Sequence, residues 1–315
     1  MDKKATRDAF GEALLELGRE NRDIVVLSGD LEDSTRAEYF KKEFPERFFN
    51  LGIAEQDILG TAAGMSTDGL IPFACSFAVF LTNRAYDILR ISICYNNRNV
   101  KLIGSHGGLT VGPDGATAQC LEDFAILRVL PNIKVICPVD AIETKKATRA
   151  IVEVDGPVYM RLSRPPFPVI TKETDEFVIG RANIMREGRD ATVIACGLMV
   201  YEALMAADAL SKEGIEVRVI NMHTIKPVDE GAIIAAARET GAIVTAEEHQ
   251  INGGLGSAVA EVLVRRIPVP VEMIAVNDTF GESGEPEELL SKYGLKDVDI
   301  MNAIKRVIER KRGGK

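Results

Sequence analysis

Asp23-Ile24-Val25-Val26-Leu27-Ser28-Gly29-Asp30 sets the fold class: a short apolar run ending in polar residues is the pattern of a strand buried on both faces, with a functional tip. A helix over Thr6 to Asn21 leads into it. Further strands are expected at Leu70 to Ala74, Val100 to Ser105, Val135 to Val139 and Val158 to Leu162, with helices at Phe80 to Ile93, Glu122 to Leu127 and Ala141 to Ile151. Pro165-Pro166-Phe167-Pro168 and the polar Thr171-Lys172-Glu173-Thr174-Asp175-Glu176 then break the pattern. Beyond the break, strands are expected at Ala191 to Cys196, Glu216 to Asn221, Ala242 to Ala246 and Val271 to Val276. Helices are expected between them at Val200 to Ser211, Gly231 to Thr240 and Leu255 to Arg265. The reading is α/β: two doubly wound domains, 1–170 and 186–315, each a mostly parallel sheet flanked by helices and joined by a linker over 171–185.

Composition narrows the function. The chain has 315 residues, 46% of them hydrophobic, and no apolar run near the roughly 20 residues of a membrane span. The N-terminus carries no apolar signal region, and the five cysteines are scattered without metal spacing, which fits a reducing cytoplasm. A net charge of -9 argues against nonspecific nucleic-acid or anionic-membrane binding, yet leaves room for a local cationic pocket. The terminal Lys311-Arg312-Gly313-Gly314-Lys315 reads as a solvated tail.

Glu55 is the first candidate site residue. It is a lone acid between Phe48-Phe49-Asn50-Leu51-Gly52-Ile53-Ala54 and an Ala/Gly-rich helix that runs until Asp68-Gly69. Held in an apolar contact between chains, such a carboxyl would have its neutral form favoured and could share a proton with a ring nitrogen; the alternative is a helix-terminal acid complementing the macrodipole. Gly104-Ser105-His106-Gly107-Gly108-Leu109-Thr110-Val111-Gly112-Pro113-Asp114-Gly115 is a glycine-rich loop after a strand, where His106 and Asp114 could meet a substrate. Asp30, His106 and Arg164 all fall at strand ends, the ligand side of an open parallel sheet. Phe77 and Phe80 form either core or a slot for a flat ring. Gly253-Gly254-Leu255-Gly256-Ser257-Ala258 looks like a dinucleotide turn, but Val259 stands where its third small residue is needed, so a Rossmann cofactor is discounted.

In combination these motifs resemble a family. Gly52-Ile53-Ala54-Glu55-Gln56, Ser76-Phe77-Ala78-Val79-Phe80, Ser105-His106-Gly107-Gly108, Gly112-Pro113-Asp114-Gly115 and Leu162-Ser163-Arg164 look like the C-terminal half of a transketolase. Thr224-Ile225-Lys226-Pro227-Val228-Asp229, Glu247-Glu248-His249 and Phe280-Gly281-Glu282-Ser283-Gly284 extend the resemblance nearly end to end. It implies a pyrimidine-binding domain followed by the family's C-terminal domain. The diphosphate signature Gly-Asp-Gly is missing, since Leu31 follows Gly29-Asp30. A split transketolase follows, in which an N-terminal subunit binds the diphosphate of thiamine diphosphate and a divalent metal (Mg or Ca), in an α2β2 assembly.

The resemblance also implies roles. Glu55 would hydrogen-bond the aminopyrimidine, with Phe77 and Phe80 around it and Asp30 on the thiazolium side. His106, a catalytic candidate with Glu55, and Asp114 would face substrate hydroxyls, and Arg7, Ser34 and Arg164 would hold the phosphate of a sugar phosphate. No residue is assigned to the metal. Two positions depart from the family: Ala118 stands where many members have histidine, and Asn83 where an aromatic often closes the pyrimidine pocket. Rival readings are the beta chain of a 2-oxo acid dehydrogenase's decarboxylating component, a deoxyxylulose-phosphate synthase-like enzyme, and a non-catalytic interaction subunit.

Overall fold

The computed structural model describes residues 2–313. Two mostly parallel sheets flanked by helices, with a small antiparallel pair of Lys3–Lys4 and Phe167–Pro168, give the chain an α/β architecture. The seven-stranded sheet runs, in spatial order, Thr224–Lys226, Lys134–Ile136, Val158–Arg161, Lys101–Ser105, Ile71–Phe77, Ile24–Ser28 and Phe48–Asn50. Every residue of Ile24–Ser28 is buried, because parallel strands lie on both sides and helices cover both faces. The chain moves outward from Ile24–Ser28 to Phe48–Asn50 and then crosses back to Ile71–Phe77. This reversal opens a crevice at the carboxyl ends of Ile24–Ser28 and Ile71–Phe77. The helix Glu55–Met65 makes that crossing, which is how its first residue comes to the crevice.

The five-stranded sheet has the order Val271–Val276, Ile243–Gln250, Ala191–Ala195, Val217–Asn221 and Asn183–Arg186, with only the last strand antiparallel. The two halves interlock. Thr224–Lys226, from the second half, pairs antiparallel with Lys134–Ile136 and becomes the edge of the first sheet. Ile194, Cys196, Ile220, Met222 and Ile225 pack in one buried cluster with Leu102, Val135 and Tyr159. Glu143 bridges the halves, accepting from Val139 N at 2.7 Å and from Asn221 Nδ2 at 2.8 Å; burial pushes its carboxyl up to about 8. The start of the expected linker is pinned as well, since Asp140 accepts from the amides of Ile170 and Thr171.

Several elements differ from expectation. The helix expected over Phe80 to Ile93 is wound as π-turns at Phe80–Arg84 and Leu89–Tyr95 around a short α segment, Tyr86–Ile88. Each π-turn takes one more residue than an α-turn and so rotates the side chains that follow. The basic C-terminus is no free tail up to Gly313: the helix Asp297–Gly313 buries Ile300, Ile304, Val307 and Ile308, and Lys311 donates to Thr240 O at 2.6 Å. Gly314 and Lys315 lie outside the described residues. No helix among the described residues is long and apolar enough to cross a membrane.

Candidate active site

Glu55 is 1% exposed, and both its oxygens have partners: Ser76 Oγ donates to Oε1 at 3.3 Å and Arg84 Nη1 to Oε2 at 3.0 Å. The acid therefore sits beside a half-exposed guanidinium within its own chain. Gly29 faces it closely, since a Cβ there would lie 3.9 Å from Glu55 Oε1 and only 2.9 Å from Gly52 O. From this acid a row of flat groups leads away. Arg84 lies over the Phe80 ring at 5.4 Å, Phe80 stacks with Phe77 at 5.6 Å, and Phe77 stacks with the His106 imidazole at 3.9 Å.

His106 holds a left-handed backbone, with φ 58°, and is 2% exposed, its Nδ1 within 2.9 Å of Ser105 Oγ. A left-handed non-glycine residue costs conformational energy that surrounding contacts must offset. Burial lowers its imidazole to about 3, and the positive charges of Arg7, Arg164 and Arg36 press in the same direction. The ring is neutral in the folded chain near neutral pH. Arg7 donates to Ser34 O at 3.0 Å, while its buried Nε has no partner. Arg164 donates to Val111 O at 2.7 Å and lies 3.5 Å from Asp114. Burial first, and then Arg36, lowers the pKa of the Arg7 guanidinium. This is a cluster of cations with one open donor, suited to an anion.

Glu55, Phe77, Phe80 and His106 thus form one strip, with Arg7, Ser34, Arg164 and Asp114 at its far end. Asp30 stays apart. It is exposed, left-handed with φ 59°, and accepts from Asn50 Nδ2 at 2.6 Å. Asn83 does not face the aromatic slot; its Nδ2 donates to Glu122 at 2.7 Å, and the neighbouring Arg84 covers Phe80 instead. Sequence reasoning missed Arg84, whose only signal was its place one residue beyond Asn83 in a helix assumed to be α. Ala118 is buried at 7% exposure.

Glu247-Glu248-His249, at the end of Ile243–Gln250, faces the first sheet. Glu247 accepts from the amides of Leu255 at 2.7 Å and Gly256 at 2.8 Å, so a side-chain carboxylate fills the N-terminus of the helix Leu255–Arg266. A Cβ at Gly254 would come within 2.1 Å of that carboxylate. The glycines of the apparent dinucleotide turn admit Glu247, at the position a phosphate would otherwise take. Glu248 accepts from Thr110 N; burial raises its carboxyl to about 7 although Arg161 and Thr110 oppose the shift. His249 stacks on Phe124 at 5.1 Å.

Residues 2–168 match the family model described as transketolase, pyrimidine binding domain, and residues 180–300 match transketolase, C-terminal domain. The chain belongs to the transketolase family. Its relatives within the family include a chain of Methanocaldococcus jannaschii assigned as a transketolase C-terminal section, 45% identical over 97% of this chain and 96% of that one. The 6-deoxy-6-sulfo-D-fructose transketolase subunit of Clostridium sp. strain MSTE9 is 42% identical over 97% and 95%. A solved structure of a split-gene transketolase, described as an inactive β4 tetramer, superposes with a TM-score of 0.92 at 50% identity, covering 98% of this chain and 99% of that one. This is a C-terminal subunit of the transketolase type, in a family that uses thiamine diphosphate.

Proposed function

We propose that this chain is the pyrimidine-side subunit of a two-chain transketolase that moves a two-carbon ketol unit from a ketose phosphate to an aldose phosphate. One observation carries the reading: a single strip runs from the buried Glu55 carboxylate, along the rings of Phe80, Phe77 and His106, to the arginines Arg7 and Arg164. Residues 1–170 act as the pyrimidine-binding domain, 171–185 as linker and 186–315 as the C-terminal domain.

The residues present fit the aminopyrimidine half of thiamine diphosphate, because a buried acceptor stands beside stacked aromatic faces. Thiamine diphosphate, when bound, supplies the electron sink that ketol transfer requires. Glu55 holds a proton at the pyrimidine ring nitrogen, Phe77 and Phe80 pack the ring, and Asp30 stands toward the thiazolium side. His106, neutral, and Asp114 hydrogen-bond substrate hydroxyls, and Arg7, Ser34 and Arg164 bind the phosphate. The diphosphate and a Mg or Ca ion are held by an N-terminal subunit in an α2β2 complex in the cytoplasm. The relatives whose names include "subunit" or "split gene" and that match end to end support a separate partner.

The test is co-assembly with the N-terminal subunit, a ketose phosphate donor and an aldose phosphate acceptor, and detection of a product two carbons longer. Glu55→Gln in an intact complex lowers turnover about 10²- to 10⁴-fold. Full turnover by that variant, or thiamine diphosphate bound as tightly by this chain alone as by the pair, rejects the reading. Pyruvate-dependent acylation of lipoamide by the pair would instead favour the 2-oxo acid dehydrogenase alternative.

A further inference from the structure

We propose that Glu248 is a positioning residue for the substrate loop: from the second half of the chain, its carboxylate receives the Thr110 amide and fixes the turn between His106 and Asp114. The contact joins residues 138 apart in sequence. Gly108 packs against this carboxylate so closely that a Cβ there would lie 2.5 Å from Glu248 Oε1, and its φ of +88° independently calls for glycine. Glu248 is held from behind as well. Arg161, fully enclosed, donates to Glu248 O at 2.8 Å while binding Asp123 through Nε at 2.9 Å and Nη2 at 2.6 Å.

The same loop is gripped at the adjacent carbonyl. Gln119 Nε2 donates to Leu109 O at 3.0 Å and to Glu282 O at 2.9 Å, tying the turn to Phe280-Gly281-Glu282-Ser283-Gly284. A Cβ at Gly281 would meet Gln119 Oε1 at 2.0 Å, so this strand of chain passes as near as a glycine permits. Two of the three family-like motifs of the second half, Glu247-Glu248-His249 and Phe280-Gly281-Glu282-Ser283-Gly284, therefore converge on one loop in the first half, directly and through Gln119. An amide aimed at a buried carboxyl group is shielded from solvent by the packing around it, and it fixes the loop more firmly than a solvent-exposed turn would be held.

The loop's contact with substrate rests on the transketolase reading; the loop's anchoring does not, and two measurements separate them. In the full chain alone, hydrogen exchange over residues 107–115 rises roughly tenfold or more in Glu248→Ala, while the strand Ile24–Ser28 and the helix Leu255–Arg266 keep their protection. Glu248→Gln, which retains an acceptor oxygen, restores protection. In the assembled enzyme, with fructose 6-phosphate as the probe donor, Glu248→Ala raises KM between about tenfold and a hundredfold with a smaller change in kcat, and Glu248→Gln recovers most of it. Unaltered loop exchange in Glu248→Ala overturns the proposal, as does loosening of the whole chain that Glu248→Gln fails to rescue. If the loop loosens as expected but the wild-type assembly shows no ketol transfer, the anchoring stands and the functional reading falls.

Discussion

Arg84 donates to the Glu55 carboxylate at 3.0 Å, and it does so from a π-turn, Phe80–Arg84, that begins at the aromatic slot. The extra residue in that turn sends Asn83 toward Glu122 and swings Arg84 back over Phe80 to the acid. A ligand group that needs Glu55 Oε2 must share it with this guanidinium or displace it, while Oε1 is shared with the Ser76 hydroxyl.

Removing that guanidinium tests the relationship. Arg84 is half-exposed, so Arg84→Ala costs only about 1 kcal/mol of stability, because solvent screens the pair on one side. Cofactor affinity of the assembled enzyme should change severalfold, upward if Arg84 competes for the carboxylate and downward if it orients it. A denaturation midpoint together with a thiamine diphosphate titration reads both, and an unchanged affinity would show that the pair plays no part in binding.

The cationic end of the strip predicts phosphate dependence. Charge-assisted bonds contribute about 1.5–3 kcal/mol each, so Arg7→Ala or Arg164→Ala raises KM for a sugar phosphate roughly 10- to 100-fold. The same variants should treat an unphosphorylated sugar as the wild type does. An equal loss on both substrates would place these arginines outside the phosphate site.

Burial, with the charges of Arg7, Arg164 and Arg36 beside it, pushes the His106 imidazole down to about 3. A histidine depressed on folding contributes stability that is present above its unfolded value of about 6.5 and lost as pH falls toward the folded value. Its ring resonances should accordingly stay constant from pH 8 to 5 in a histidine-edited NMR titration. His223, lowered to about 4 by burial, drives stability in the same direction. A His106 transition near pH 6.5 would contradict the burial and the charge cluster alike.

Glu143 has the opposite sign. Its folded value, about 8, lies above the ordinary 4.5, so its contribution is full below the unfolded value and is lost as pH rises through about 8. Glu143→Gln, keeping an acceptor for Val139 N, should flatten the fall in stability between pH 5 and 8.5 measured by urea midpoints. Glu248, raised to about 7, leaves a residual slope. A wild-type slope that the substitution does not change would mean that Glu143 is ionised at no cost in the folded chain.

Much of the site was legible because it obeys local rules. Glu55 stood out as an acid in the first turn of a helix of small residues, and His106 and Arg164 as polar residues at the ends of apolar strands. Arg84 was not legible: helical periodicity was read at the α period, and nothing local marks the added residue of a π-turn. The spacing of the Gly253 to Ala258 turn is legible in the sequence, but that Glu247 fills its helix N-terminus needed coordinates. The C-terminal helix was present as the spacing of Ile300, Ile304, Val307 and Ile308, and was passed over because charged residues dominate that segment.

By itself the sequence determined the alternation of buried strands and covering helices, since that pattern rests on hydrophobic spacing over a few residues. It also determined which polar groups end those strands. Only the tertiary structure decided that Thr224–Lys226 completes the other half's sheet and that Glu248 receives the amide of Thr110. Such pairings join groups far apart in the chain. They are selected by how two cores fit together and by the need to satisfy each buried donor, a condition that no stretch of sequence states on its own.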